Sequence, residues 1–134
     1  MSREGNFQST ALKYLNSLPG CKAENVSGNA KQSGRPDITG CYQGRMFKLE
    51  LKSSDHQNKP SKKQSIELRR WWNAGCVVGV IYSMKSLRRV FEHNWNQDYN
   101  QEYHNYDEPN GCHSWAKIPT LNPEMRQWRF KASK

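Results

Sequence analysis

No apolar run in this 134-residue chain approaches the roughly 18 residues that a membrane-spanning helix needs. The N-terminus is polar, so no secretory leader is expected, and a cytoplasmic location without membrane contact is the expectation. Four cysteines, Cys21, Cys41, Cys76 and Cys112, never fall in the close C-x-x-C spacing of zinc or redox motifs. Reduced thiols are therefore expected. Cys112 and His113 are adjacent but have no partners at finger-like spacing, which favours ordinary loop residues over a metal site. Helix-turn-helix and zinc-finger patterns are missing as well, so reading of base sequence by these devices is not expected.

Acid is scarce too. The chain carries 12 Asp and Glu against 21 Lys and Arg, a net charge of +9 with a pI near 9.6. That balance suits a polyanionic partner. It does not imply catalysis, because a soluble or RNA-binding structural protein can be equally basic. The distribution is uneven: residues 1–91 hold 16 bases and 6 acids, whereas residues 92–111 hold five acids and neither Lys nor Arg. Residues 112–134 return to five bases and one acid. The size is that of one domain with a modest core.

What is present centres on residues 34–54. Gln43-Gly44 is a plausible two-residue hairpin turn, since glycine supplies the positive φ that such turns need. With those two as the loop, the numbers of each facing pair add to 87, and Asp37 falls opposite Glu50. Period-two alternation then places Asp37, Thr39, Lys48, Glu50 and Lys52 on one face, with Ile38, Phe47, Leu49 and Leu51 on the other. Opposed like charges repel, so something cationic should hold them. Lys52 is one candidate and a hard divalent metal is another. A solvated edge strand with weak surface ion pairs, worth about 0–1 kcal/mol, fits this geometry equally well.

Pro36-Asp37, twelve residues, then Glu50-Leu51-Lys52 resembles the PD-(D/E)xK signature of Mg²⁺-dependent nucleases. Gly34-Arg35-Pro36-Asp37-Ile38, the strand ending at Lys52, Gln64 in a following helix and the opening helix with Glu4 and Phe7-Gln8 resemble its VRR-NUC branch, the virus-type replication and repair nucleases. The resemblance covers roughly residues 1–91. It implies a nuclease core over 1–91, with 92–134 an extension of unknown role packed on the same domain. It also implies catalytic roles for Asp37, Glu50, Lys52 and Gln64, and a metal held by Asp37, Glu50 and the Leu51 carbonyl, with Glu4 approaching it. Mg²⁺ is the implied ion, Mn²⁺ a substitute, and no small-molecule cofactor is expected.

The flanking pattern supplies a scaffold. Phe7, Ala11, Leu15 and Leu18, helped by Leu12, mark an amphipathic helix that Pro19-Gly20 ends. Glu4 lies one turn before Phe7 and leans toward the buried side, although an acid there also simply favours the helix dipole. Cys21–Val26 reads as a short strand. Residues 27–35 form a polar, basic loop whose Lys31 and Arg35 are candidate phosphate contacts. Ser61-Lys62-Lys63-Gln64 opens a helix with an S-x-x-Q capping box, a mundane reason for Gln64 beside its family role. Lys62 and Lys63 oppose the dipole there, which makes sense if they meet phosphates. Trp71 and Trp72 read as core or interface rather than as base-stacking platforms.

Cys76–Tyr82 is a continuous β-branched run, the mark of a strand buried on both faces. A right-handed crossover should lay it parallel to the Phe47–Lys52 strand. Helical spacing resumes from Ser83 to Phe91. The order α-β-β-β-α-β-α is the restriction-endonuclease-like α/β core that the resemblance implies, a mixed sheet flanked by helices.

The tail is weakly patterned. Trp95, Tyr99, Tyr103 and Tyr106 share a spacing near four residues that drifts about 40° per step on a helix, so no single face holds them. Residues 125–131 alternate as a late strand would. The resemblance implies a Mg²⁺-dependent DNA endonuclease, and the family's stand-alone members suggest a homodimer acting on branched or junction DNA in repair. Lys52 reads as an electrostatic stabiliser that positions the attacking water, with a role as the base open beside it. A non-catalytic nucleic-acid-binding module and an RNA-binding structural protein are the alternatives.

Overall fold

The computed structural model describes residues 3–26, 35–55, 58–95 and 101–120, with side chains from Asn6 onward. Helix α1 (Arg3–Ser17) buries Ala11 and Leu15 completely and packs Phe7, Leu12 and Leu18 at the edge of the core. Pro19-Gly20 ends it, Gly20 taking the left-handed φ of 77°. Strand β1 (Cys21–Asn25) follows at once. The Asn16 amide fastens helix to strand, accepting from Ala23 N at 2.9 Å and donating to Ala23 O at 3.1 Å.

Strands β2 (Ile38–Tyr42) and β3 (Arg45–Leu51) form the expected hairpin. Gln43 and Gly44 both have positive φ, 52° and 83°, the type I′ pattern that matches strand twist. The register runs from Tyr42↔Arg45 to Ile38↔Leu49, as the turn dictates. Helix α2 (Lys62–Asn73) then crosses to β4 (Val77–Ile81), all five of whose residues are buried. β4 lies parallel to β3, with Phe47↔Val77 through Leu51↔Ile81 in register. Helix α3 (Met84–Arg89) continues into a wider π turn over Val90–Asn94.

The tail departs from the sequence reading, which found no strand between residues 92 and 120. Strand β5 (Gln101–Asn105) and strand β6 (Ser114–Ile118) pair antiparallel, and β6 also pairs with β4. One mixed six-stranded sheet results, in the order β1-β2-β3-β4-β6-β5. The alternating late-strand pattern of residues 125–131 lies outside the described residues, as does Tyr99. No helix among the described residues is long and apolar enough to cross a membrane.

The sheet is covered on both faces. Under α1 and α3 lie Ile38, Phe47, Leu49 and Leu51, with Phe91 and Trp95 stacked 4.7 Å apart beside them. On the other face Leu68 of α2 packs with Val78, Val80 and Tyr82, with Trp71, Trp72 and Trp115 partly buried around them, in keeping with a packing role for the two α2 tryptophans. A polar hub ties the tail to this frame. Buried Glu108 accepts through Oε2 from Ser83 Oγ at 2.9 Å, Ser86 Oγ at 2.8 Å and Ser114 Oγ. Tyr82 N in turn donates to Ser114 Oγ at 2.8 Å. Three hydroxyl donors satisfy a carboxylate oxygen that water scarcely reaches.

Packing is tightest where β2 passes between β1 and the Phe47 ring. A Cβ built on Gly40 meets Phe47 Cζ at 2.4 Å and the Lys22 carbonyl oxygen at 2.6 Å. Neither can retreat, since the ring is fully buried and the carbonyl is backbone. Gly40→Ala is expected to lower unfolding free energy by about 1–3 kcal/mol in urea titration. A variant as stable as the parent contradicts this packing.

Candidate active site

Asp37, Glu50 and Lys52 gather at one end of the central strands. β3 carries Glu50 as its penultimate residue, β2 begins one residue after Asp37, and β4 ends alongside. Asp37 is 5 % exposed and Glu50 1 % exposed, so the polar face is roofed by α2 rather than solvated. Buried carboxylates are costly unless hydrogen-bonded, and both of these are.

Asp37 is held by backbone. Lys52 N donates to Ile81 O at 3.0 Å on the β4 side, so strand alternation turns Leu51 N toward β2. There the β2 ladder has stopped at Ile38↔Leu49. The Asp37 carboxylate takes the vacant acceptor place, receiving Leu51 N at 2.9 Å through Oδ2. Its own carbonyl accepts from Val26 N at 2.8 Å. Charge repulsion across the hairpin is thus not the whole account of Asp37, which also completes the sheet edge.

Glu50 is held by side chain. Its Oε1 accepts from Gln64 Nε2 at 3.0 Å. The same amide accepts from Ser61 N at 2.8 Å, while Gln64 N donates to Ser61 Oγ at 3.1 Å. The capping-box role and the role beside the acid therefore operate together, one at each end of the Gln64 amide. Lys62 and Lys63 are exposed on the first turn of α2, a turn that contains no acid. Arg35 is exposed two residues ahead of Asp37. Leu51 is buried at the end of β3, and Lys52 follows half-buried. Glu4 lies in α1 but its side chain, like Lys31 altogether, is outside the described residues.

Several neighbours escaped the sequence reading. Lys48 is buried beneath α2, donating to Thr39 Oγ1 at 2.6 Å with its ammonium 3.9 Å from the Trp71 ring centroid. Burial pushes its amine below the ordinary lysine range, Arg35 adding to the effect and Cys76 opposing it. The segment after Lys52 is clamped from the tail. Asn110 donates to Ser54 O at 2.5 Å and Asp55 O at 2.9 Å, and the Tyr82 hydroxyl donates to Asn58 O. Asn58 closes the loop by donating to Ser53 O at 3.0 Å. The alternation of Lys48 was visible in the sequence; the Asn110 clamp joins segments 55 residues apart and left no local signal.

The donors around Asp37 and Glu50 are carboxylate and carbonyl oxygens, the hard set that suits Mg²⁺ or Mn²⁺ and not a thiolate or imidazole centre. Among the described residues no group of three or more His, Cys, Asp and Glu is placed so as to hold a metal ion. A cation here would rest on two carboxylates, backbone and water. Cys112 is buried, and the adjacent His113 is bonded to His104.

No protein-family model matches the sequence, and no curated protein matches it. A solved structure described as "VRR_NUC domain" does match, with a TM-score of 0.59 and 27% identity, over 71% of this chain and 100% of that one. The resemblance read from Pro36-Asp37, Glu50-Leu51-Lys52 and Gln64 is borne out at the level of the fold. The chain has the α/β, restriction-endonuclease-like architecture of that domain, and its likeness is to a nuclease family.

Asp37→Ala leaves the Leu51 amide buried without its acceptor, whereas Asp37→Asn keeps an oxygen in place. In metal-free buffer the alanine variant should unfold about 1–3 kcal/mol more easily than the parent, and the asparagine variant should lose less than half as much. Equal losses in chemical denaturation contradict the Leu51 bond as the stabilising contact.

Proposed function

We propose that this chain, built on a VRR_NUC-like fold, is a Mg²⁺-dependent endonuclease that hydrolyses DNA phosphodiester bonds. The observation that carries the reading is the convergence of two buried carboxylates, Asp37 and Glu50, at the ends of β2 and β3 beside Lys52. A non-catalytic binding module has no use for acids desolvated and aimed at one strand end. An RNA-binding structural protein accounts for the basic charge but leaves those acids without a purpose.

Asp37, Glu50 and the Leu51 carbonyl are the groups that would hold the ion, with Glu4 as a further carboxylate. Bound there, Mg²⁺ supplies a more acidic water and charge relief at the phosphoryl oxygens. The remaining work falls to the chain. Gln64 fixes the Glu50 carboxylate by its 3.0 Å bond, and the Leu51 amide fixes Asp37, so neither acid has to reorient when substrate arrives. Lys52 brings positive charge beside the scissile phosphate and orients the attacking water. Arg35, Lys62 and Lys63, all exposed near this end, meet flanking phosphates.

The resemblance to stand-alone VRR-NUC nucleases suggests that branched or distorted DNA is selected by shape, and the sequence carries no recognition-helix motif for the major groove that would point elsewhere. One centre per chain cuts one strand, and a symmetric homodimer places two centres on opposed strands of a junction. Repair or replication of DNA is the setting for such an activity.

Asp37→Asn, Glu50→Gln and Lys52→Ala should each lower single-turnover cleavage of a four-way junction by about a hundredfold or more, with binding in EDTA retained. Full activity in all three removes the site assignment. Light scattering checks the dimer: a monomer that cuts linear duplex as readily as junction DNA refutes both assembly and shape selection.

A further inference from the structure

The sheet face under α2 carries a second feature. Beyond the helix, on the side away from Lys48, a trough of about 570 Å³ runs between α2 and β6, lined by Arg69, Trp72, His104, Trp115 and Lys117. A second hollow of about 440 Å³, bounded by Asn58, Lys59, Pro60 and Tyr82, shares Ser65, His113 and Trp115 with the first. The two hollows therefore adjoin. Ser65, common to both, is the neighbour of Gln64, whose amide touches Glu50. Each is of a size that takes a small ligand.

Three flat rings group beside this trough, and two of them, His104 and His113, line it. Tyr106 stacks on His113 with centroids 4.1 Å apart and planes within 13°, while His104 lies beside His113, 5.0 Å from it at 18° and 5.7 Å from Tyr106 at 7°, so the Tyr106 ring lies over a side-by-side histidine pair. His104 Nδ1 and His113 Nε2 are 2.8 Å apart, and His104 Nε2 is 3.1 Å from Glu102, so the rings are fixed in place. Tyr106 nevertheless stands 71 % exposed. A large aromatic that covers no core and caps a bonded pair of rings leaves its outer face open to something outside the chain. Burial, then the neighbouring His104, pushes the His113 imidazole below its ordinary range, so near neutral pH it is an uncharged ring.

Cations flank the rings. Lys117 Nζ lies 6.0 Å from the Trp72 centroid on one wall, and Arg69 is exposed on the other. The one acid of the lining, Glu102, is engaged by His104. Aromatic faces beside spaced positive charge are what an unpaired nucleic-acid strand requires, because every base offers a π-face and every linkage a phosphate. A duplex cannot use the open Tyr106 face, since its bases are already stacked on each other.

We propose that this trough and the ring cluster beside it bind an unpaired stretch of DNA strand, a base stacking on the open face of Tyr106 and phosphates meeting Arg69 and Lys117, and lead it past the N-terminus of α2 to Asp37 and Glu50. The inference rests on the nuclease reading for the identity of its ligand and gives that enzyme its substrate: a junction bearing a single-stranded segment.

Two probes test it by fluorescence anisotropy in EDTA, where no cleavage intrudes: a labelled duplex with a single-stranded extension, and the same duplex blunt. The parent protein should bind the extended probe about tenfold more tightly. Tyr106→Ala, a surface change, should remove most of that preference and leave blunt-duplex affinity unchanged; Arg69→Ala with Lys117→Ala should also weaken the extended probe. No preference in the parent, or a preference that survives Tyr106→Ala, overturns the proposal. So does a parental dimer that Tyr106→Ala converts to monomer, which would make the ring cluster an interface between copies. Cleavage in Mg²⁺ is scored separately. Cutting without a strand preference discards the trough and keeps the nuclease, and a strand preference without any cutting does the reverse.

Discussion

Everything at the candidate site depends on keeping two carboxylates almost dry. Asp37 and Glu50 have given up nearly all contact with water, and the chain replaces that hydration with directed donors. Asp37 relies on an amide that the sheet itself leaves over, where β2 ends and β3 continues by two residues. Glu50 relies on a glutamine whose position is set by a helix cap. Each acid is thus oriented by the terminus of a secondary-structure element. The geometry of the site is a property of where strands stop and a helix begins.

That dependence spreads outward. The start of α2 is fixed by Ser61, and Ser53, Ser54 and Asn58 ahead of it are held by bonds among Asn58, Tyr82 and Asn110. Asn110 comes from the connection between β5 and β6, which Glu108 and its three serines bind to the start of α3. A chain of hydrogen bonds therefore joins the acidic tail to the carboxylates. Of the five acids in residues 92–111, one is a buried acceptor that organises this region.

The hairpin, its register, the Gln64 cap and the parallel pairing of β3 with β4 were legible because each has a local cause. Gln43-Gly44 admits one kind of turn, a turn of two residues fixes the pairing, and Val77–Ile81 has the uniform burial of a central strand. The last two strands were not legible, for equally local reasons. β5 offers Tyr103 as its single apolar side chain, as an edge strand can, and β6 buries Ser114 in a place where alternation calls for an apolar residue. Burial of Ser114 is tolerated only through Glu108 and Tyr82, partners that no strand-sized window of sequence displays. The same holds for the Asp37–Leu51 bond, since charge alternation announces an acid but not the amide it will meet.

The place of β6 in the sheet has a consequence for the order in which the protein can be made. As β4 emerges from synthesis its five residues pair with β3 on one side and have nothing on the other. A bare edge of that apolar composition recruits any extended strand it meets. It stays open while the chain from Tyr82 to His113 is added. When β6 arrives it closes the apolar edge, and β5 moves the boundary one strand further out. The new border shows Gln101, Glu102, His104 and Asn105, and the opposite border at β1 shows Lys22 and Glu24. Polar and charged side chains along an outer strand discourage further strand addition. Among the described residues, the strands made after β4 are thus what bounds the sheet on this side, and until they fold the nascent protein is exposed to self-association through β4.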